Sequence, residues 1–454
     1  MDQKIISTNP ANNYEPIAEI DCTRESSIAD IVKKSKIAFE KWKKTDLNTR
    51  ILYIRKIAES LEINKYKLSN LISLEMGMPK NDSIFDVMSG IKTIYNYIEQ
   101  AHESLSPKYF KDGKEIHTTL KEPLGVLVSI APWNYPIGNF VWLCIQALLA
   151  GNTIIYKASS QVPLCCKKIE EIVNNILPSN VFTAIYGGHS LIESIIKEKI
   201  NAISLVGSTS TGIKVAELAA KELLPINLEL GGSAPGIVLK DIDLDLAAEK
   251  IVFYRFMNTG QSCDGLKRLI VDKNIMDTLI SKILEKVNKL TIGNPTQYND
   301  VNLGPLVSRE QQINISKQVN DAFLQGAKIL CGGKCLPGGA YYAPTLLVNV
   351  TPSMRVWREE VFGPVLPIIP FSNIDEAIRL ANDTIYGLGG YIFTNNDKLF
   401  NDISKKLETC MISRNGVSYV RKENFFGGCK MSGYGRVNSR QGFEHVTKDK
   451  IISE

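Results

Sequence analysis

Ala202-Ile203-Ser204-Leu205-Val206-Gly207-Ser208-Thr209-Ser210-Thr211-Gly212 runs from a short apolar strand, through glycine and hydroxylated residues, into the helical pattern Ile213 to Leu224. A strand that turns through small residues straight into a helix is half of a β-α-β unit. The pattern repeats on both sides. Upstream, the apolar strand Gly125 to Ile130 leads into the turn Ala131-Pro132-Trp133-Asn134-Tyr135-Pro136. Thr153 to Lys157 is a second strand, followed by a helix with Ile169, Ile172, Val173 and Ile176 on one face. Downstream, Ile226 to Leu230 ends in Glu229-Leu230-Gly231-Gly232. Strands alternating with helices imply a parallel sheet covered on both faces. Ligands of such sheets bind at the carboxyl ends of the strands, where these loops lie. Gly207 to Gly212 offers backbone N–H groups at a helix start, which suits a phosphate or a plain helix cap. It is not a Walker A loop, since Ile213 sits where the lysine belongs, and the chain has no Gly-x-Gly-x-x-Gly fingerprint.

A second α/β pattern follows Asn258-Thr259-Gly260-Gln261-Ser262-Cys263-Asp264-Gly265 and the strand-like Lys267-Arg268-Leu269-Ile270-Val271. It comprises helices near 274–289 and 308–325, a strand at 328–331, a helix at 374–382 and a strand at 389–394. Small, turn-forming residues present Cys263 at a loop tip. An accessible thiol there is a candidate nucleophile, and a small buried apolar residue is the bland alternative.

Helices over 25–43 and 46–75 precede the first sheet, the second with Ile51, Ile54, Ala58 and Leu61 on one face. Asp112-Gly113 marks a polar hairpin over 110–122, whose exposed edge invites pairing with another chain. At 454 residues the chain exceeds one hydrophobic core. A net charge of +5 without any basic block leaves no footprint for nucleic acid. Met1-Asp2-Gln3-Lys4 lacks the apolar core of a secretory signal, and the longest apolar run, near Phe140 to Ala150, is too short to span a membrane. Nine irregularly spaced cysteines fit a cytoplasmic protein with free thiols, and Cys331 and Cys335 lack the partners of a metal site.

Seven motifs in order make the sequence resemble the NAD(P)-dependent aldehyde dehydrogenase superfamily from about residue 5 to the end. They are Pro132-Trp133-Asn134, Lys157-Ala158-Ser159, Gly207-Ser208-Thr209, Glu229-Leu230-Gly231-Gly232, Gly260-Gln261-Ser262-Cys263, Glu360-Val361-Phe362-Gly363-Pro364 and the glycine-rich stretch ending at Arg436. Length, and the lack of an extra N-terminal strand, are most similar to the short group around succinate-semialdehyde dehydrogenase. The resemblance implies an α/β subunit with two Rossmann-like parallel-sheet domains and a β-hairpin oligomerisation arm. Residues 1–108 and 124–231 form the cofactor-binding domain and 232–428 the catalytic domain. The arm and tail, 109–123 and 429–454, build a homodimer or homotetramer.

By the same resemblance, Cys263 is the nucleophile and Asn134 donates to the oxyanion together with the Cys263 backbone N–H. Glu229 is the general base for the thiol or for the hydrolytic water. Lys157 and Glu360 hold the two riboses, Phe362 packs beside the nicotinamide, and Trp133, Gly207 and Ser208 lie by the pyrophosphate. The position that is often acidic in NAD-specific members is Ser160, which implies that NADP⁺ is accepted and preferred over NAD⁺. The four histidines lie in none of the motifs, which argues against a Cys–His hydrolase.

The arginines with which succinate-semialdehyde dehydrogenases bind the substrate carboxylate are replaced by Trp142 and Met257. Both resemble the apolar walls of members that oxidise small or apolar aldehydes. Arg421 and Arg414, near the entrance, are candidates for a relocated clamp. Phe425 and Val437 depart from the usual proline and glutamate. A CoA-acylating reaction is the remaining alternative, disfavoured by the presence of Glu229.

Overall fold

A computed structural model describes residues 3–454, so Met1 and Asp2 of the N-terminal reading lie outside the described part. The first sheet has five strands: β1 (Val126–Ile130), β2 (Thr153–Lys157), β3 (Phe182–Ile185), β4 (Ala202–Val206) and β5 (Ile226–Glu229). Their order is β3-β2-β1-β4-β5, with every pair parallel. Every residue of β1 and β4 is buried, which accounts for their unbroken apolar runs. The direction of winding reverses between β1 and β4, the switch point at which such sheets open a crevice. β3 is too short to stand out in the sequence.

The second sheet has seven strands: β6 (Ala234–Val238), β7 (Leu266–Asp272), β8 (Lys328–Cys331), β9 (Thr345–Val348), β10 (Val365–Phe371), β11 (Gly389–Phe393) and β12 (Met411–Arg414). The order is β8-β9-β10-β7-β6-β11-β12, and only the pairing of edge strand β8 with β9 is antiparallel. β6 and β10 escape sequence reading because Pro235 in one, and Pro367 and Pro370 in the other, interrupt a strand pattern. Two Rossmann-like sheets thus make the α/β architecture that was expected.

Several boundaries differ from the sequence reading. The helix over 25–43 is a 3₁₀ turn, Glu25–Ser27, followed by Ile28–Trp42. The helix over 46–75 is two, Leu47–Ile63 and Lys65–Met76, broken at Asn64, whose side-chain amide donates to the Ser60 carbonyl at 2.8 Å. The asparagine satisfies the end of the first helix and so stops it. The helix after β4 begins at Thr209, because the Ser208 hydroxyl caps it by accepting the Thr211 N–H at 3.3 Å. The helix after β2, Pro163–Asn174, ends before Ile176.

The polar hairpin forms as read, with strands Lys108–Asp112 and Glu115–Pro123. The last strand, Thr447–Ser453, pairs antiparallel with the hairpin's inner strand, which joins tail to arm in a three-stranded sheet. The chain also opens on a hairpin, Lys4–Asn9 with Glu15–Asp21, that the sequence pattern does not show. Among the described residues no helix is long and apolar enough to cross a membrane.

Candidate active site

The Cys263 loop is built by an abrupt end to a helix. Leu244–Phe256 stops, and Asn258, Thr259 and Gly260 follow with φ of 50°, 55° and 74°. Asparagine and glycine tolerate that left-handed region, but a β-branched threonine is strained there by about 1–3 kcal/mol. The surroundings enforce it. The Asn258 N–H donates to Asp82 at 2.8 Å, the Asn258 amide to the Asn134 carbonyl at 2.9 Å, and the Thr259 hydroxyl to the Gly304 carbonyl at 3.2 Å. Buried Arg255 ties the loop to its neighbour, donating to the carbonyls of Gly260, Val361, Gly363 and Leu266. A Cβ on Gly260 would fall 2.5 Å from the Gly363 carbonyl oxygen, so the close approach needs glycine. Cys263 emerges half-buried, packed in an aromatic cluster with Trp142, Tyr419, Phe425 and Phe426.

Glu229 ends β5 beside this thiol and is only 3% exposed. By hydrogen-bond geometry neither carboxyl oxygen has a partner, although the Cys263 thiol is close enough to pull its pKa down. The two groups are therefore neighbours that are not locked together. Burial drives the Glu229 carboxyl up to about 8, with Asp264 and Glu360 adding to the rise. Burial also pushes the Cys263 thiol well above its ordinary value, and the Glu229 and Asp264 charges push it further. At neutral pH most of the resting pair holds its protons, and it is the ionised fraction of the carboxyl that can take one from a nearby atom.

Asn134 reaches the same loop from the end of β1. Its amide nitrogen donates to the Gln261 carbonyl at 3.2 Å, and its oxygen accepts from Asn139 at 3.2 Å, so the N–H₂ edge faces the nucleophile loop. Asp86 fixes this turn by accepting the N–H groups of Ile137 and Gly138 at 3.0 and 2.9 Å.

The candidate cofactor residues lie in a row along the strand ends. Lys157 closes β2, partly buried, and its ammonium has one acceptor, the Ala158 carbonyl at 3.0 Å; burial lowers its pKa. Ser160 is exposed beside it, with its hydroxyl 3.4 Å from the Gly187 carbonyl. Trp133 and Phe362 meet edge to face with ring centroids 5.6 Å apart. Glu360 accepts the Gly232 N–H at 3.1 Å and pairs with Lys267. A Cβ on Gly207 would touch nothing closer than Leu205 at 3.4 Å. An under-partnered ammonium, an open glycine cradle and a capped helix N-terminus fit a phosphorylated ligand.

The candidate substrate residues are not all brought together. Trp142 lies tilted against Phe426 beside Cys263, with ring centroids 4.5 Å apart, and Met257 stands half-buried where the helix ends. Arg421 is exposed on the loop before Phe425. Arg414 pairs with Asp397 at 2.5 Å and lies over the Phe400 ring. Sequence reasoning missed Asp82, Asp86 and Lys267, though a lysine inside an apolar strand run was a signal in plain view.

The sequence profile described as the aldehyde dehydrogenase family matches residues 1–452. Aminoaldehyde dehydrogenase 1, peroxisomal, of Pisum sativum is 33% identical, over 100% of this chain and 93% of that protein. Succinate-semialdehyde dehydrogenase [NADP(+)] of Deinococcus radiodurans is 32% identical, over 96% of this chain and 92% of that protein. The crystal structure of lactaldehyde dehydrogenase from Escherichia coli superimposes with a TM-score of 0.97 at 31% identity, covering 100% of this chain and 96% of the other. The chain therefore belongs to the aldehyde dehydrogenase family, and its reaction is the NAD(P)-dependent oxidation of an aldehyde.

Proposed function

We propose that the chain oxidises a small or apolar aldehyde to the carboxylic acid through a thioester on Cys263, with NADP⁺ preferred over NAD⁺. The observation that carries this reading is the buried, unpartnered Glu229 carboxyl facing the half-buried Cys263 thiol, with the Asn134 amide aimed into the same loop. Glu229 takes the thiol proton, and the Cys263 sulfur forms a bond to the aldehyde carbon. The oxygen that becomes an anion is held by the Asn134 amide and the backbone N–H of Cys263. Bound NADP⁺ supplies the acceptor for the hydride that leaves this carbon. Glu229 gives that proton up to solvent and then takes one from the water that attacks the thioester, whose carbon–sulfur bond breaks to free the acid and the Cys263 sulfur. Lys157 and Glu360 hold the two riboses, Trp133, Gly207 and Ser208 face the pyrophosphate, and Phe362 flanks the nicotinamide.

Neutral Ser160 places no charge against a 2′-phosphate, and the Deinococcus relative is named for NADP⁺, which supports the cofactor preference. Residues 1–108 and 124–231 serve the cofactor, 232–428 the substrate, and 109–123 with 429–454 the assembly. In the arm, Tyr109 and Phe110 are 73% and 65% exposed, an apolar edge suited to a second copy of the chain. Nine free thiols suit the cytoplasm.

A second reading, succinate-semialdehyde dehydrogenase with a relocated carboxylate clamp, rests on that relative's name and on exposed Arg421. The test is NADPH formation from succinic semialdehyde, lactaldehyde, glyceraldehyde, hexanal and benzaldehyde, with NAD⁺ in parallel and with or without CoA. Preference for neutral aldehydes, and a gain for succinic semialdehyde in Trp142→Arg, support the first reading. A strong preference of the wild type for succinic semialdehyde, lost in Arg421→Ala, supports the second. CoA-dependent product release would overturn both.

A further inference from the structure

The geometry points to Lys267 as a positioning residue of this site, its buried ammonium joining the Cys263 loop, the turn after Glu229 and Glu360, and balancing a thiolate on Cys263. The side chain is 1% exposed. Its three N–H bonds have three acceptors: the Gly232 carbonyl at 3.0 Å, the Cys263 carbonyl at 2.9 Å and the Glu360 carboxylate. Each acceptor comes from a different segment, and the Phe362 ring lies 5.1 Å from the nitrogen. Two glycines make the convergence possible. A Cβ on Gly231 would fall 2.4 Å from the Glu360 carboxylate, and one on Gly232 would fall 2.5 Å from the Cys263 carbonyl oxygen.

One cation thus fixes the peptide that carries the nucleophile and the carboxylate proposed to hold a ribose. Its charge also matters for the thiol. Glu229 faces Cys263 from β5 and Asp264 from its own loop, while Glu360, on the loop before β10, acts on Glu229 and Lys267. Tyr391 and Tyr419 bond to Asp264, and the Cys410 thiol packs in the same cluster. Burial and the Glu229 and Asp264 charges oppose ionisation of Cys263, whereas Lys267 favours it.

The inference rests on Cys263 being the nucleophile. The full-length protein is alkylated with iodoacetamide across pH 6–10, and the rate of Cys263 modification is followed by peptide mass, a midpoint above this window being read as the rate ratio of variant to wild type at each pH. Lys267→Gln is expected to move the midpoint up by about one unit, a roughly tenfold slower reaction at fixed pH below it. Lys267→Arg should restore it, and Glu360→Gln, which frees the ammonium, should move it down. An unmoved midpoint in folded Lys267→Gln overturns the inference; if that variant does not fold, an unmoved midpoint in Glu360→Gln does so. Cys263→Ser separates the two readings. Retained aldehyde oxidation there sinks the proposed function, whereas loss of activity beside unmoved midpoints sinks only the role of Lys267.

Discussion

Replacing Glu229 by glutamine should abolish turnover while making the protein less sensitive to alkali. The carboxyl is 3% exposed without a hydrogen-bond partner, and burial raises it from 4.5 to about 8. A folded-state value above the unfolded one means that the native chain holds this proton more tightly. The contribution to stability is complete below pH 4.5 and is lost as pH rises towards 8, then stays constant. Between pH 5 and pH 8 the loss is roughly 3 kcal/mol, taking ~1.4 kcal/mol per pH unit and the two pKa values. Glutamine cannot ionise and escapes it. With an unfolding entropy of ~2.1 cal/mol/K per residue over 454 residues, the thermal midpoint of Glu229→Gln should gain about 3 °C on wild type between those pH values. Over the same range wild-type kcat should climb along a limb with a midpoint near 8, because only about a tenth of the carboxyl is ionised at pH 7. The variant should lose roughly 10²- to 10⁴-fold in kcat. The assays are differential scanning fluorimetry and steady-state NADPH formation on matched samples. Parallel midpoint curves for the two proteins, or a wild-type limb centred near the ordinary carboxylate value, would refute the reasoning.

Further outcomes follow from the same geometry. Asn134→Ala removes one oxyanion donor and should lower kcat by about 10²- to 10³-fold with little change in KM; a pure KM effect would remove it from the oxyanion site. Ser160→Glu puts a charge where a 2′-phosphate is read to bind. Its kcat/KM for NADP⁺ should fall at least roughly tenfold relative to that for NAD⁺, and equal losses for both would place the phosphate elsewhere. Asp86→Ala leaves the Ile137 and Gly138 N–H groups unpaired, costing about 1–3 kcal/mol and loosening the Asn134 turn. Its thermal midpoint should fall together with kcat, while Asp86→Asn keeps part of both.

The first sheet was legible because β1, β2 and β4 are buried on both faces and therefore read as unbroken apolar runs between glycine-marked turns. In the second sheet β7, β8 and β11 were legible; Pro235, Pro367 and Pro370 disguise β6 and β10, and the four-residue β9 and β12 went unread without any proline. Cys263, Glu229 and Asn134 were singled out by motif, and their convergence from a strained loop, from β5 and from the turn after β1 is a property of the packed chain. Nothing local marks Asp82 or Asp86, helical residues that act by accepting backbone N–H groups 176 and about 50 residues away. Arg414 shows the converse. An arginine near the entrance looked unpaired in sequence, and the fold sets it beside Asp397.

The central claim is the thioester on Cys263, and Glu229→Gln allows it to be caught. The variant should be mixed with saturating NADP⁺ and hexanal, quenched over seconds to minutes, and weighed intact beside the NADPH trace. Glutamine cannot take the thiol proton, so the account predicts a slowed first turnover that yields up to about one NADPH per subunit, then near-arrest, with a hexanoyl adduct that maps to Cys263 and disappears with hydroxylamine. Sustained NADPH formation by Glu229→Gln with no adduct on Cys263 would contradict it.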